Sequence, residues 1–200
     1  MNDSQPVYEI RCPVHGTVTF SPRELRVINH PLVQRLRCVS QLGLASLVFP
    51  GATHTRFNHS LGVMHLAGRV FDQIAPSLEL PGGAAGEAHT YWRTVVRMAG
   101  LLHDVGHPPF SHTFEAILPT KGRLPLPRDW YRHLEPTARA THEDFSVAAV
   151  HHLSQGPEAL LTSEEARDIC ALIDDAIAPS DRMAKPPGGP SIYPVLKQII

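Results

Sequence analysis

Cysteine is scarce in this chain. There are three copies among 200 residues, Cys12, Cys38 and Cys170, and no two of them form a C-x-x-C pair. An odd number of widely spaced cysteines argues against a disulfide framework and against a zinc ribbon. Residues 1–6 also lack the basic and apolar regions of a secretory signal. We therefore expect reduced thiols and a cytoplasmic protein.

The chain also lacks a long apolar run and an excess of charge of either sign. It has no run of about eighteen apolar residues, so we expect no membrane span. The formal net charge of −1 provides no long-range attraction for nucleic acid or for an anionic membrane. Hydrophobic residues make up 42% and charged residues 18% of the sequence, which is typical of a globular protein with a sizeable core. Any binding of phosphate must therefore come from local basic groups.

Histidine is the residue type in excess, with 13 copies. The densest group follows an apolar helical pattern and comprises His103, Asp104, His107, His112 and Glu115. Each of these residues alone could be a hydrogen-bonded core residue. Five ionisable groups in an otherwise apolar segment indicate a functional site instead. A buried carboxylate needs a cation or donors beside it, so the adjacent His-Asp pair is predicted to lie at a metal site.

Local signals predict helices along most of the chain. Ser21 carries the pattern of a helix N-cap, and Pro31 is predicted to open a second helix that runs to Leu42. Arg35 and Arg37 on that second helix either contact an anion or partner or belong to a solvated face. Residues 7–20 alternate loosely around a turn, which predicts a short β-hairpin or arm.

A further helix is predicted from Arg56 to about Ile74. His59 falls on a stripe that continues from Val63 to Val70, which would direct its imidazole into the core. A satisfied core histidine is one interpretation, and a partner for the His-Asp pair is the other. Arg56 precedes it and is predicted to hold phosphate, with a surface arginine as the alternative.

The string T-H-E-D from Thr141 to Asp144 is a capping-box pattern. It places His142 in the first turn of a helix, where backbone N–H groups and the helix dipole favour an anion. Residues 119–136 are rich in proline, arginine and tryptophan and lack a clear period. They are predicted to form a long surface loop or a lid over the site.

Four strings, taken in order, resemble the HD-domain superfamily of metal-dependent phosphohydrolases. They are P-V-H-G at 13–16, Q-R-L-R followed by V-F-P-G-A-T-H-T-R-F-N-H-S-L-G-V within 34–63, A-G-L-L-H-D-V-G-H-P-P-F-S-H at 99–112 and T-H-E at 141–143. The match is strongest to the deoxynucleoside triphosphate triphosphohydrolase branch, which includes the dGTPases. This resemblance implies an all-α HD-domain helical bundle with a minor β-hairpin or arm near the N-terminus.

The resemblance also implies roles for nine side chains. The residues matching the family's metal ligands are His59, His103 and Asp104. The residues matching its catalytic groups are His112, Glu115 and His142. The residues matching its contacts with the nucleotide are Gln41, Arg56 and His107.

The implied reaction is attack of water on the α-phosphorus of a deoxynucleoside triphosphate, which releases the deoxynucleoside and intact triphosphate. The implied cofactor is a divalent metal ion, and mixed nitrogen and oxygen ligation suits Mn, Fe, Zn or Ni better than Mg alone. Two alternatives stay open. One is an HD phosphohydrolase of nucleoside monophosphates or cyclic nucleotides, and the other is a non-catalytic HD module that binds nucleotide or metal.

Further expectations follow from the family. Its members assemble as homo-oligomers and some have a nucleotide activator, although Cys12 and Asn29 stand where activated members carry acidic residues. Binding of nucleic acid is not indicated. The family completes its metal site with an aspartate that follows an element like L-K-Q-I-I, which here occupies 196–200. We therefore expect an arm or hairpin over 1–20 and a C-terminally shortened HD domain over 21–200.

Overall fold

The structure, a computed structural model, describes residues 8–78, 80, 86–184 and 191–200. Within these ranges it contains an antiparallel β-hairpin and a bundle of helices connected in part by 3-10 turns. The strands are β1, Tyr8–Cys12, and β2, Gly16–Phe20. The helices are α1 Pro22–Ile28, α2 Pro31–Gln34, α3 Arg56–Ile74, α4 Glu87–Leu102, α5 His142–Leu153, α6 Ser163–Ile173, α7 Asp181–Ala184 and α8 Tyr193–Lys197. The all-α prediction with a minor hairpin is confirmed.

The hairpin packs one of its faces onto the helices. Its register pairs Tyr8 with Phe20 and Cys12 with Gly16. Because side chains alternate between the two faces of a strand, Val18 and Phe20 both face the core and are 0% and 4% exposed. The hairpin is therefore part of the folded core.

Capping boxes define the starts of helices α1, α5 and α6, as their sequences predict. The Ser21 N–H donates to the Glu24 carboxylate at 2.8 Å, and the Glu24 N–H donates to the Ser21 hydroxyl. The same pattern occurs at Thr141 and Thr162. These reciprocal bonds satisfy N–H groups that have no partner inside the helix.

Helices α3 and α4 form the centre of the core. Met64 on α3 and Trp92 and Met98 on α4 are fully buried. Gly100 permits the closest approach of the two helices, since a Cβ there would lie 3.1 Å from the Met64 Cα. This tight antiparallel contact brings the start of α3 beside the end of α4, where the predicted metal ligands lie.

The buried face of α3 differs from the predicted stripe. Leu66 and Val70 are 44% and 45% exposed, whereas Phe57 and Phe71 are 2% and 0% exposed. The larger aromatic side chains bury more apolar area, so their face is the one that packs against the core. The predicted direction of His59 into the core is therefore wrong, and this residue lies half-buried at the edge.

Helix α2 is much shorter than predicted. It ends at Gln34, and a 3-10 turn follows over Arg35–Cys38. Beyond that turn Ser40 pairs with Thr55 in an isolated β-bridge. This tertiary pairing overrides the helical pattern, and the predicted continuation to Leu42 is wrong.

The irregular segment 119–136 is anchored to α5. Trp130 and Tyr131 are 5% and 8% exposed. The Tyr131 hydroxyl donates to the Asp144 carboxylate at 3.1 Å, and the Lys121 Nζ lies 2.9 Å from the same oxygen. The segment lacks a regular period, as predicted, and these contacts hold it against α5. Its action as a lid over the site stays a prediction.

A buried ion pair joins α1, the hairpin and α4. The Arg97 Nε lies 2.5 Å from the Glu24 carboxylate, and both side chains are less than a tenth exposed. Arg97 also donates to the Thr19 carbonyl at 2.9 Å.

Among the described residues, no helix combines the length and the hydropathy needed to cross a bilayer.

We expect Glu24→Gln to lower the free energy of unfolding by about 3 kcal/mol, because it leaves the Arg97 charge buried without a counter-charge. Glutamine keeps the capping geometry, so the loss of unfolding free energy measures the effect of removing the negative charge of Glu24. The matched control is Arg93→Ala, which removes a pair with Asp72 whose side chains are 38% and 42% exposed, and it should cost less than about 1 kcal/mol. Urea denaturation of both variants measures the difference, and equal losses would contradict this account.

Candidate metal centre

Two imidazoles and a carboxylate converge where α3 and α4 meet. The Nε2 atoms of His59 and His103 are 3.3 Å apart. The Asp104 carboxylate oxygens lie 3.4 Å from His103 Nε2 and 3.8 Å from His59 Nε2. All three ligand atoms are within 4.8 Å of one another. This donor set is of the kind that binds divalent transition metals.

The orientation of His103 fits a metal ligand. Its Nδ1 lies 2.9 Å from the Gly100 carbonyl oxygen. A carbonyl oxygen only accepts hydrogen bonds, so Nδ1 carries the proton and Nε2 presents a lone pair toward His59. Metal-binding histidines usually have their second nitrogen held in this way. The three residues therefore fit a divalent cation.

Asp104 is ionised and almost completely buried, at 5% exposure. Arg56 Nη1 lies 2.6 Å from one of its oxygens, and His107 Nε2 lies 3.5 Å from the other. Burial raises the pKa of this carboxyl, but electrostatic interactions with His103 and Arg56 outweigh that effect, so the pKa lies below its ordinary value. Its negative charge is thus available to a cation at neutral pH.

Arg56 connects the metal centre to the segment that follows it. Besides Asp104, its guanidinium donates from Nε and Nη2 to the Ser111 hydroxyl, at 3.1 and 3.0 Å. Ser111 and Phe110 have φ angles of +52° and +63°, a conformation that costs about 1 kcal/mol or more for each such residue. The Arg56 contacts help to hold this strained turn. Contact of Arg56 with phosphate stays a prediction.

The three residues predicted for catalysis form a second cluster. The Glu115 Oε1 lies 3.1 Å from the His112 Nδ1 and 2.5 Å from the His142 Nδ1. His112 and Glu115 share one face of the 3-10 turn Ser111–Ile117, and His142 is the first residue of α5. Burial raises the pKa of Glu115, but the hydrogen bond from His142 and the other neighbouring charges together bring it below its ordinary value.

His107 lies between the two clusters. Its ring stacks on the ring of His142 with centroids 3.8 Å apart, and its residue is 1% exposed. Burial and the neighbouring His142 lower the pKa of His107 to about 3, so this imidazole is neutral at pH 7. Its Nδ1 has no hydrogen-bond partner among the described residues. The nitrogen is therefore free to bond to a ligand or to water.

Gln41 lies beside the extended residues that lead into α3. Its backbone N–H donates to the His54 carbonyl at 3.2 Å, and the preceding Ser40 pairs with Thr55. Its Oε1 is buried and has no hydrogen-bond partner in the described part of the chain. An unpaired buried acceptor costs roughly 1–3 kcal/mol, so this atom is suited to a donor from a bound ligand. The predicted contact with nucleotide stays a prediction.

Residues that sequence reasoning did not assign to the site hold its central turn. The Ser146 hydroxyl donates to the His103 carbonyl at 2.7 Å and accepts the Gly106 N–H at 2.9 Å. Arg35 donates to the carbonyls of Val105 and His107. The sequence left the role of Arg35 open, and no sequence signal distinguishes Ser146. Ser146 thus attaches the turn after α4 to α5, and Arg35 attaches it to the 3-10 turn that follows α2.

We expect Gly106→Ala to destabilise the protein by about 3 kcal/mol, the upper part of the range for overpacking. A Cβ at this position would lie 2.1 Å from the His142 carbonyl oxygen and 2.3 Å from the Ser146 nitrogen. The matched control is Gly51→Ala, where no heavy atom lies within 4 Å of the new Cβ. Thermal unfolding compares the two variants, and a Gly106→Ala protein as stable as the wild type would show that this contact is looser than described.

The family description "HD domain" matches residues 56–177, a span that includes both clusters. The chain therefore belongs to the HD-domain family. It is 39% identical over 179 residues to the human deoxynucleoside triphosphate triphosphohydrolase SAMHD1, and the match covers 85% of this chain and 25% of that protein. The bovine protein of the same name is 41% identical over 147 residues, covering 72% and 22%, and the zebrafish (Danio rerio) protein is 34% identical over 188 residues, covering 92% and 26%.

Within the HD-domain family, the chain is therefore similar to deoxynucleoside triphosphate triphosphohydrolases. The resemblance seen in the sequence is thereby confirmed. The chain spans about a quarter of the length of the curated relatives it matches.

Proposed function

We propose that this HD domain hydrolyses deoxynucleoside triphosphates to a deoxynucleoside and intact triphosphate. The observation that carries the proposal is the position of the His112–Glu115–His142 cluster beside the metal-ligand set, with the neutral ring of His107 between them. Proton-transfer groups next to a cation site are what hydrolysis of a phosphate ester requires. The deoxynucleoside triphosphate triphosphohydrolases that this chain resembles suggest the substrate class.

The first part of the proposed machinery holds the cation. His59, His103 and Asp104 would bind it, and its identity among Mn, Fe, Zn, Ni and Mg stays open. When bound, such an ion lowers the pKa of water and neutralises phosphate charge. Because Arg56 already neutralises part of the Asp104 charge, we expect affinity to depend strongly on both imidazoles.

The second part delivers a proton to the leaving group. Attack of water at the α-phosphorus breaks the bond to the 5′-oxygen, and that oxygen must gain a proton. The Nδ1 of His142 is within hydrogen-bond distance of the Glu115 carboxylate, and its Nε2 lies 3.1 Å from the Glu143 carboxylate. The side chain of His112 is 68% exposed, and its Nδ1 is within hydrogen-bond distance of the Glu115 carboxylate. His112 is thus the better placed acid, while Glu115 orients both rings.

The third part positions the substrate. Gln41, Arg56 and His107 are proposed to contact the nucleotide, and the unpaired atoms of Gln41 and His107 support this role. We further propose that residues 1–20, of which 1–7 lie outside the described residues, form an arm or hairpin, and that 21–200 form the HD domain. We also propose that the protein assembles as a homo-oligomer in the cytoplasm and that a nucleotide can act as activator.

Variants of the metal ligands test the first part. We expect His103→Ala and Asp104→Asn to lose stoichiometric metal after dialysis at low free metal, because each removes one of the three donors. Asparagine keeps an acceptor for Arg56, which limits destabilisation. Metal content is measured by elemental mass spectrometry, with His133→Ala, an exposed histidine, as the control. A ligand variant that holds as many ions per chain as the His133→Ala control would refute the assignment.

A product assay on His112→Ala tests the reaction. We expect the wild type to release triphosphate, and the variant to turn over roughly a hundred- to ten-thousandfold more slowly, as on loss of a general acid. The ion at the first ligand set should be retained. Chromatography separates triphosphate from pyrophosphate and orthophosphate. Wild-type turnover in the variant would contradict the role of His112, and release of orthophosphate would contradict attack at the α-phosphorus.

A further inference from the structure

The His112–Glu115–His142 cluster has the donor geometry of a zinc site. Its three ligand atoms lie within 4.8 Å of one another, and Glu115 Oε1 is 3.1 and 2.5 Å from the two imidazole nitrogens. Ligand atoms around tetrahedral zinc, with bonds of about 2.0–2.1 Å, are roughly 3.4 Å apart. Small side-chain movements would therefore admit an ion. Two histidines and a glutamate are also a ligand set that zinc enzymes use.

This cluster shares no residue with the His59, His103 and Asp104 set. The ring of His107 stacks on His142 at 3.8 Å and thus lies between the two. Both sets could hold an ion at the same time, because neither needs a ligand of the other.

A third grouping, Asp104 with His107 and His142, is also within ligand distance. It is a poorer site, because Arg56 already pairs with the Asp104 carboxylate at 2.6 Å and His107 is 1% exposed. The Glu115 cluster differs both in the pairing of its carboxylate and in the exposure of its histidines. In the described residues its carboxylate has no arginine or lysine within ion-pair distance, and His112 is 68% exposed at its entrance.

We propose that His112, Glu115 and His142 bind a second divalent ion of the zinc class, and that this ion inhibits the enzyme. Two imidazole nitrogens and one carboxylate favour zinc, cobalt or nickel over magnesium, which prefers oxygen ligands. An ion bound there would occupy the nitrogens that Glu115 now orients and withdraw both rings from proton transfer. The inhibitory part rests on the proposed function, whereas the binding part does not.

Counting bound zinc tests the binding part. Protein stripped with a chelator is dialysed against a fixed micromolar concentration of free zinc, and its metal content is measured by elemental mass spectrometry. We expect two ions per wild-type chain and one in His112→Ala, a substitution at an exposed side chain that leaves the core intact. The control His133→Ala should hold two. A single ion in the wild type, or an equal number of ions in His112→Ala and the wild type, would overturn the proposal.

Turnover at increasing free zinc tests the inhibitory part. We expect filling of the second site to reduce triphosphate release by about a hundredfold, similar to the loss of a general acid. Unchanged turnover with two ions bound would overturn inhibition. The two proposals fail in distinguishable ways: absence of triphosphate release at every metal occupancy, in a chain that binds two zinc ions, contradicts only the proposed function, and normal release in a chain that never binds more than one ion contradicts only the second site.

Discussion

The buried charge of Asp104 is the constraint on which the site depends. Ionising a carboxyl group that is only 5% exposed costs free energy of desolvation unless positive or hydrogen-bonding groups surround it. Here Arg56 contacts one oxygen at 2.6 Å, and the nitrogens of His103 and His107 approach the other. The polar groups that compensate this charge are those that the proposed chemistry uses.

The packing of the helices supports this arrangement. Gly100 lets α4 approach α3 closely, and Gly106 lets the turn after α4 rest against the backbone of α5. Ser146 bridges that turn to α5 through hydrogen bonds of 2.7 and 2.9 Å. Three helices thus meet around a short segment of chain. The proposed hydrolysis would depend on this rigidity, because catalytic groups act efficiently only when they are held in position.

The site divides into two functional halves that meet at His107. One half offers two imidazoles and a carboxylate to a cation, and the other offers two imidazoles oriented by Glu115. Similar donor sets in adjacent positions explain how the same fold could both use a metal ion and be inhibited by one. Membership of the HD-domain family supports the proposal that the first half binds a metal ion, and the exposure of His112 leaves the second half open to solvent.

The sequence alone determined the starts of several helices and the family of the chain. Capping boxes at Ser21 and Thr141 defined helix starts, because they depend on neighbours within a single turn, and the ordered histidine strings identified the family. Tertiary structure decided the rest. It chose the aromatic face of α3 over the predicted stripe, shortened α2 through the Ser40–Thr55 bridge, and recruited Ser146. These outcomes depend on contacts between residues far apart in the chain, and local periodicity contains no information about such contacts.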